Sequence, residues 1–174
     1  MIRVYNDTNL IGENAEQDQD EYLALKQLRE LTNQNGSTKV IIETISNRNL
    51  NELDQTKDEK LRHRLQQAAK VLSKESNDHK LVGIHTFFDR FGTCINSPFV
   101  VDVPDEEIFA KLMGIPLEDE MDARLLTVAI FNKYDVFLTR DWKSILKKRQ
   151  EINALFPEIR LMKPSELLAH LHTP

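Results

Sequence analysis

Two hydrophobic patterns alternate along this chain. Short apolar runs are typical of buried strands, and longer segments whose apolar residues recur every three or four positions are typical of amphipathic helices. The apolar runs predict strands at residues 2–5, 39–43, 99–103, 136–138 and 159–162. The helical spacing predicts helices at residues 21–32, 47–53, 57–73, 106–113, 122–131, 142–155 and 164–170. This alternation indicates an α/β protein with a mostly parallel sheet.

One region follows neither pattern. Between residues 82 and 97, apolar residues and glycines alternate irregularly. We expect either a loop-rich insertion or a short hairpin there. No repeat, low-complexity tract or linker divides the chain, so residues 1–174 are predicted to form a single domain.

Composition excludes several classes of protein. The chain has 174 residues, of which 40% are hydrophobic and 29% are charged, as in an ordinary globular domain. No apolar run approaches the roughly 20 residues of a membrane span, so we expect no membrane partner. The N-terminus passes from Arg3 into polar and acidic sequence, so we expect no signal peptide. Cys94 is the only cysteine, which excludes an internal disulfide and a thiolate zinc cluster. A cytoplasmic location is expected.

Four acidic residues are predicted to meet at one edge of the sheet. Asp7 follows the first strand and Asp141 follows the fourth. Glu52 lies on the helix after the second strand, and Asp122 opens the helix before the fourth. Because strand ends and the helix starts that follow them share one edge of a parallel sheet, these carboxylates would converge and repel one another. Mg²⁺ or Mn²⁺, which prefer oxygen ligands, would relieve the repulsion and bind phosphate.

Each acid also has a simpler explanation. Asp7 could take part only in turn hydrogen bonding, and Glu52 could be a solvated helix residue. Asp122 could complement a helix dipole, with Asp119 as the N-cap. Asp141 could cap the helix that follows it. The placement of all four at one sheet edge favours the metal-site interpretation, because chance rarely produces it.

The four acids lie in short segments with a characteristic order. Residues 4–10 read VYNDTNL, a hydrophobic strand ending in Asp-Thr-Asn, and residues 45–53 read ISNRNLNEL. Residues 122–129 read DARLLTVA, and residues 139–141 read TRD. In order and predicted secondary structure, these segments resemble the motifs of the PIN-domain family. That superfamily of metal-dependent nucleases includes the ribonuclease toxins of bacterial toxin–antitoxin pairs.

The resemblance implies a fold, an activity and partners. The fold would be a three-layer α/β/α arrangement with a five-stranded, mostly parallel sheet. The activity would be endoribonuclease cleavage of RNA by a water activated by Mg²⁺ or Mn²⁺. The partners would be RNA, an antitoxin protein or a second copy of the chain. The chain is longer than the compact toxins, so a solitary PIN-domain protein is an equal alternative to a toxin.

The resemblance also assigns roles to individual residues. The catalytic and metal-binding acids would be Asp7, Glu52, Asp122 and Asp141. Asn9 and Thr139 would orient these acids through hydrogen bonds. Glu43 competes with Glu52 for the second position because it ends the predicted second strand, and the local pattern favours Glu52.

Binding of RNA requires cationic contacts to phosphate. The net charge of −5 at pH 7 provides no overall attraction for a polyanion, so the contacts must be local or metal-mediated. Three basic residues near the acids are candidates for this role: Arg48, Arg140 and Lys143. Solvated helix faces are the commoner explanation of such residues, and Arg140 is the best single candidate because it adjoins Asp141.

Three other functions are alternatives to the nuclease. A non-catalytic PIN-fold module would bind RNA or a protein without cleavage, but the presence of all four acids favours catalysis. A haloacid-dehalogenase-like phosphatase would have an Asp-x-Asp motif after the first strand, whereas residues 7–9 read DTN. A dinucleotide site is disfavoured because no Gly-x-Gly-x-x-Gly motif follows that strand.

Overall fold

Strands alternate with helices along the part of the chain that the computed structural model describes, namely residues 2–11, 19–33, 41–45, 47–70, 72–74, 80–88, 94–102, 106–117 and 119–172. The strands are β1 (Ile2–Asn6), β2 (Ile41–Ile45), β3 (Ser73–Lys74), β4 (Lys80–Phe88), β5 (Cys94–Asp102), β6 (Val136–Leu138) and β7 (Arg160–Met162). The helices are α1 (Gln19–Asn33), α2 (Asn47–Asp54), α3 (Glu59–Ala69), α4 (Glu106–Met113), α5 (Glu120–Phe131), α6 (Arg149–Leu155) and α7 (Pro164–His172). The predicted α/β class is confirmed. Within these residues, no helix has the length and apolar character that a membrane crossing requires.

Strand β1 lies at the centre of a parallel sheet. It pairs in parallel with β2 on one side and with β6 on the other. Strands β3 and β7 extend the sheet outward, in the order β3-β2-β1-β6-β7. All three residues of β6 are buried, as expected of a strand covered on both faces.

Helices pack on both faces of this sheet. On one face, Tyr5 and Phe137 contact buried residues of α4, α5 and α6. On the other face, Val4 and Val136 contact buried residues of α1 and α7. Successive side chains of a strand point to opposite faces, so the four residues alternate between two cores.

Helix α5 runs from the carboxyl ends of the sheet strands back to their amino ends. Its 12 residues span about 18 Å. Because it ends shortly before β6 begins, its C-terminus lies near the amino end of that strand. Its N-terminus, which carries Asp122, therefore lies near the carboxyl end of β6, and a hydrogen bond between Asp122 and Ser144 demonstrates this.

The structure corrects the prediction for residues 99–103. Residues 99–102 belong to β5, which pairs antiparallel with β4 from Lys80 opposite Asp102 to Phe88 opposite Cys94. They are therefore not a strand of the parallel sheet, and Val103 lies outside the described residues. For residues 82–97, the hairpin alternative is the one observed. An apolar run indicates a strand but does not identify its partner, and pairing with a sequence neighbour closes only a short loop.

The structure also shortens the helix predicted at residues 57–73. This helix, α3, ends at Ala69, and Ser73 belongs to β3, a strand that the apolar pattern did not predict.

Two further boundaries differ from the prediction. The helix expected over residues 142–155 begins only at Arg149, because turns and a 3₁₀ segment at Leu146–Lys148 precede it. Lys143 therefore lies in a turn rather than on a helix. Strand β2 extends to Ile45, so Glu43 lies in the middle of the strand and not at its end.

Candidate functional site

Asp7 lies at the carboxyl end of β1, where its backbone N–H donates to Leu138 O at 2.9 Å. Its side chain is only 5% exposed and does not cap the 3₁₀ turn that follows. Instead, Asp7 Oδ2 accepts hydrogen bonds from Thr139 Oγ1 at 2.5 Å and from Asn9 Nδ2 at 2.7 Å. Turn hydrogen bonding to the backbone therefore does not account for this carboxylate.

Asp141 follows β6 and organises the turn after it. Its Oδ1 accepts from the backbone N–H groups of Lys143 and Ser144, each at 2.9 Å. The capping role weighed for Asp141 is thus observed, but on a turn rather than on a helix. Asp141 N–H donates to Thr139 Oγ1 at 2.9 Å, so the Thr139 hydroxyl connects the Asp141 backbone to the Asp7 carboxylate.

Asp122 lies in the first turn of α5 but does not cap it. Asp119 is the N-cap and accepts from Met121 N–H at 2.9 Å. Asp122 Oδ2 instead accepts from Ser144 Oγ at 2.7 Å. Ser144 is not among the site residues predicted from the sequence. Its position three residues after Asp141 is typical of a capped turn, but this spacing does not show that α5 begins nearby.

Glu52 is positioned by Asn49, a residue that the sequence analysis also missed. Asn49 is fully buried and accepts from Tyr5 Oη at 2.8 Å. Its Nδ2 donates to Asn6 O at 3.1 Å and to Thr8 Oγ1 at 3.0 Å, which attaches α2 to the end of β1. Glu52 follows one helical turn later on the same face. Its Oε2 is buried and has no hydrogen-bond partner among the residues that the structure describes.

All four predicted acids line one cleft at the carboxyl edge of the sheet. The cleft has a volume of about 340 Å³, and its lining comprises Asp7, Thr8, Asn9, Glu52, Leu53, Thr56, Leu61, Leu65, Asp122 and Asp141. No basic side chain belongs to this described lining, so the cleft is strongly negative when its acids are ionised.

The cleft shifts the ionisation of two acids. The pKa of Asp7 is raised to about 7: burial is the largest cause, the Thr139 hydrogen bond opposes it, and the charges of the other three acids of the cleft add to the rise. Burial also raises the pKa of Asp122 to about 6; the Ser144 hydrogen bond opposes the shift, and neighbouring carboxylates reinforce it. The repulsion expected from the sequence is therefore present in the fold.

The predicted basic residues that the structure describes do not line the cleft. Arg140 Nη2 donates to Asn9 O at 2.5 Å, and Arg140 N–H donates to Asn9 Oδ1 at 3.3 Å. Lys143 is exposed, and its Nζ lies 6.0 Å from the centre of the Trp142 ring. Neither residue belongs to the lining of the cleft. The side chains of Arg48 and Glu43 lie outside the described part of the structure.

The donor groups suit a hard divalent cation. Carboxylate oxygens are the ligands that Mg²⁺ and Mn²⁺ prefer, and the buried Glu52 Oε2 needs a partner that no described residue provides. As the acids stand, no three His, Cys, Asp or Glu side chains of the described residues are grouped to hold a metal ion. The fit therefore rests on the chemistry of the oxygens and on their shared cleft.

Comparison with known proteins adds no relative from which a function could be transferred. No protein-family model, curated protein or solved structure matches the chain. The function is therefore inferred from the residues and the geometry of the cleft.

Proposed function

We propose that this chain is a metal-dependent endoribonuclease with a PIN-like, three-layer α/β/α fold. The observation that carries the proposal is the convergence of Asp7, Glu52, Asp122 and Asp141, from four separate segments, on one cleft. The parallel strand order β3-β2-β1-β6-β7 and the helices on both faces support the five-stranded fold that the resemblance implies. Ligands of open α/β sheets bind at this carboxyl edge.

In this proposal the four acids would hold Mg²⁺ or Mn²⁺. The chemistry supplied by such a cation, when bound, is activation of a water for attack on phosphorus and stabilisation of the leaving oxygen. The chain keeps the acids in place despite their repulsion. Thr139 and Asn9 hold Asp7 through its Oδ2, and Ser144 holds Asp122. This arrangement supports the orienting role proposed for Asn9 and Thr139.

Protonation of Asp7 would control the affinity of the site for a cation. Asp7, with a pKa of about 7, carries its proton in roughly half of the metal-free molecules at neutral pH. A carboxylate must be deprotonated to act as a metal ligand. We therefore expect cation affinity to increase as the pH rises from 6 to 8.

The remaining parts of the proposal concern the partners. Arg140 directly precedes Asp141, and Lys143 follows it by two residues. We propose that Arg140 and Lys143 contact the phosphates that flank the cleaved bond, with Arg48 as a third candidate. An antitoxin, a second copy and a cytoplasmic location stay predictions.

The test is cleavage of a mixed-sequence, single-stranded RNA by the purified chain. Reactions would contain Mn²⁺, Mg²⁺ or a chelator, and Asp7→Asn and Asp141→Asn would be compared with the wild type. Asp20→Asn is the matched control, because it removes one charge from an exposed position on α1. We expect cleavage only with a divalent cation, its loss in both cleft variants and its retention in the control.

Calorimetric titration with Mn²⁺ would separate binding from catalysis. Cation binding without cleavage of any RNA would support the non-catalytic module instead. If the chain neither cleaved RNA nor bound the cation, the nuclease proposal would be abandoned.

A further inference from the structure

The lining of the cleft combines two kinds of side chain. It includes four carboxylates and also three leucines, Leu53, Leu61 and Leu65, together with Thr56. Leu61 and Leu65 are four residues apart on α3 and therefore share one face of the helix. Cation binding by the acids makes no use of an apolar wall. An apolar surface in this position therefore suits a ligand that has an apolar surface of its own.

Leu61 differs from the other apolar residues of α3. Leu65, Ala68 and Ala69 pack in a core cluster with Leu53. Leu61 lies at the start of the same apolar stripe, is half-buried, and belongs to none of the three core clusters of the described residues. Its side chain lines the cleft instead of completing the core.

Polar contacts hold this part of α3 in place. Asp58 caps the helix and accepts from Leu61 N–H at 3.1 Å. Gln66 Nε2 donates to Asp54 Oδ1 at 2.7 Å, which joins α3 to the end of α2. The leucine wall, formed by Leu61 and Leu65, is thus attached to the helix that carries Glu52.

We propose that Leu61 and Leu65 form the base-binding side of a subsite for one unpaired nucleotide of RNA. The inference rests on the proposed function and extends it. A nucleotide combines an apolar base face with an anionic phosphate, which matches a leucine wall beside acids that share a cation. The volume of about 340 Å³ is near the lower end of the roughly 300–1,000 Å³ found for ligand sites, which suits a ligand of the size of one nucleotide.

The subsite has consequences for selectivity. Contact between a base face and an aliphatic wall does not read hydrogen-bonding edges, and every base has such a face. The base must, however, be out of a duplex to present its face to the wall. Leu61 and Leu65 therefore select unpaired RNA with little preference among the four bases.

The test is the affinity of a fluorescent single-stranded RNA hexamer, measured by anisotropy in Ca²⁺, with the same strand in a duplex for comparison. Leu61→Gln preserves length and helix propensity but removes the apolar contact, and should raise the Kd by about three- to tenfold. Leu61→Phe offers a ring for stacking and should lower the Kd. Leu155→Gln is the matched control, since Leu155 is an exposed helical leucine at the opposite edge of the sheet.

The outcomes separate this inference from the nuclease proposal. Weaker binding by Leu61→Gln, tighter binding by Leu61→Phe and weak binding of the duplex would support the subsite. These binding results would support the subsite even if the chain never cleaved RNA. Absence of cleavage would overturn only the nuclease proposal. Equal affinities of the wild type and both Leu61 variants, equal binding of duplex and single strand, or no RNA binding would overturn the subsite.

Discussion

Replacement of Asp7 by Asn should stabilise the metal-free protein at alkaline pH. The carboxylate is buried, and the charges of Asp122, Glu52 and Asp141 repel its ionised form. Hydrogen bonds from Thr139 and Asn9 offset only part of this cost. Asparagine has nearly the same shape and retains an acceptor oxygen, but it carries no charge.

The magnitude follows from the pKa of Asp7. Because the folded protein binds this proton more tightly than the unfolded chain, the stabilisation due to protonation is fully present below pH 3.8 and is lost as the pH rises through about 7. The difference between 3.8 and 7 corresponds to roughly 4 kcal/mol. Imperfect hydrogen bonding by Asn reduces the expected gain to about 2–3 kcal/mol, or about 5–10 °C in the unfolding midpoint at pH 8.

The assay is thermal unfolding followed by circular dichroism, in chelator, at pH 5 and pH 8. The unfolding midpoint of Asp7→Asn should exceed that of the wild type at pH 8. At pH 5, where Asp7 is already neutral, the two midpoints should be similar. The exposed Asp20→Asn control should match the wild type at both values of pH. Addition of Mn²⁺ at pH 8 should raise the midpoint of the wild type but not that of Asp7→Asn.

Two results would refute this reasoning. If Asp7→Asn were no more stable than the wild type at pH 8, the carboxylate would not be destabilised by burial and repulsion. If the gain were equal at both values of pH, it would not arise from ionisation. Either result would also weaken the inference that the acids share a cation.

Variants at three further positions test the groups that hold the acids. Ser144→Ala removes the donor to Asp122 and should weaken Mn²⁺ binding by about tenfold in calorimetric titration, whereas Ser144→Thr should retain it; equal affinities would contradict this role. Thr139→Val removes the hydroxyl that donates to Asp7 and should lower the urea-derived free energy of unfolding by about 1–2 kcal/mol, with Thr139→Ser close to the wild type. Asn49→Ala deletes a buried amide and should cost about 2–3 kcal/mol; an unchanged urea midpoint would show that α2 is held otherwise.

Local patterns were sufficient for much of the fold. The apolar run at residues 136–138 coincides with β6, and the helix predicted at residues 106–113 coincides with α4. Both signals are complete within a few residues of sequence, so they do not depend on the packing of distant segments. The α/β class follows from the order of such elements.

Pairing and termination were harder to predict. The run at residues 99–102 indicated a strand, but its antiparallel partner β4 could not be read from it. The helical spacing over residues 142–155 did not reveal that helix α6 begins only at Arg149. In both cases the decisive interactions are hydrogen bonds to other segments or to a capping side chain, which hydrophobic periodicity does not encode.

For the candidate site, the residue types at the strand ends and helix starts, including Asp7 and Asp141, are read directly from the sequence. How these residues are buried and hydrogen-bonded depends on the packing of the folded chain. The bond between Ser144 and Asp122 spans 22 residues of sequence, and that between Tyr5 and Asn49 spans 44. The leucine wall at Leu61 likewise depends on how α3 docks beside α2. Such contacts arise from the packing of whole elements, whereas a sequence pattern records only the neighbours along the chain.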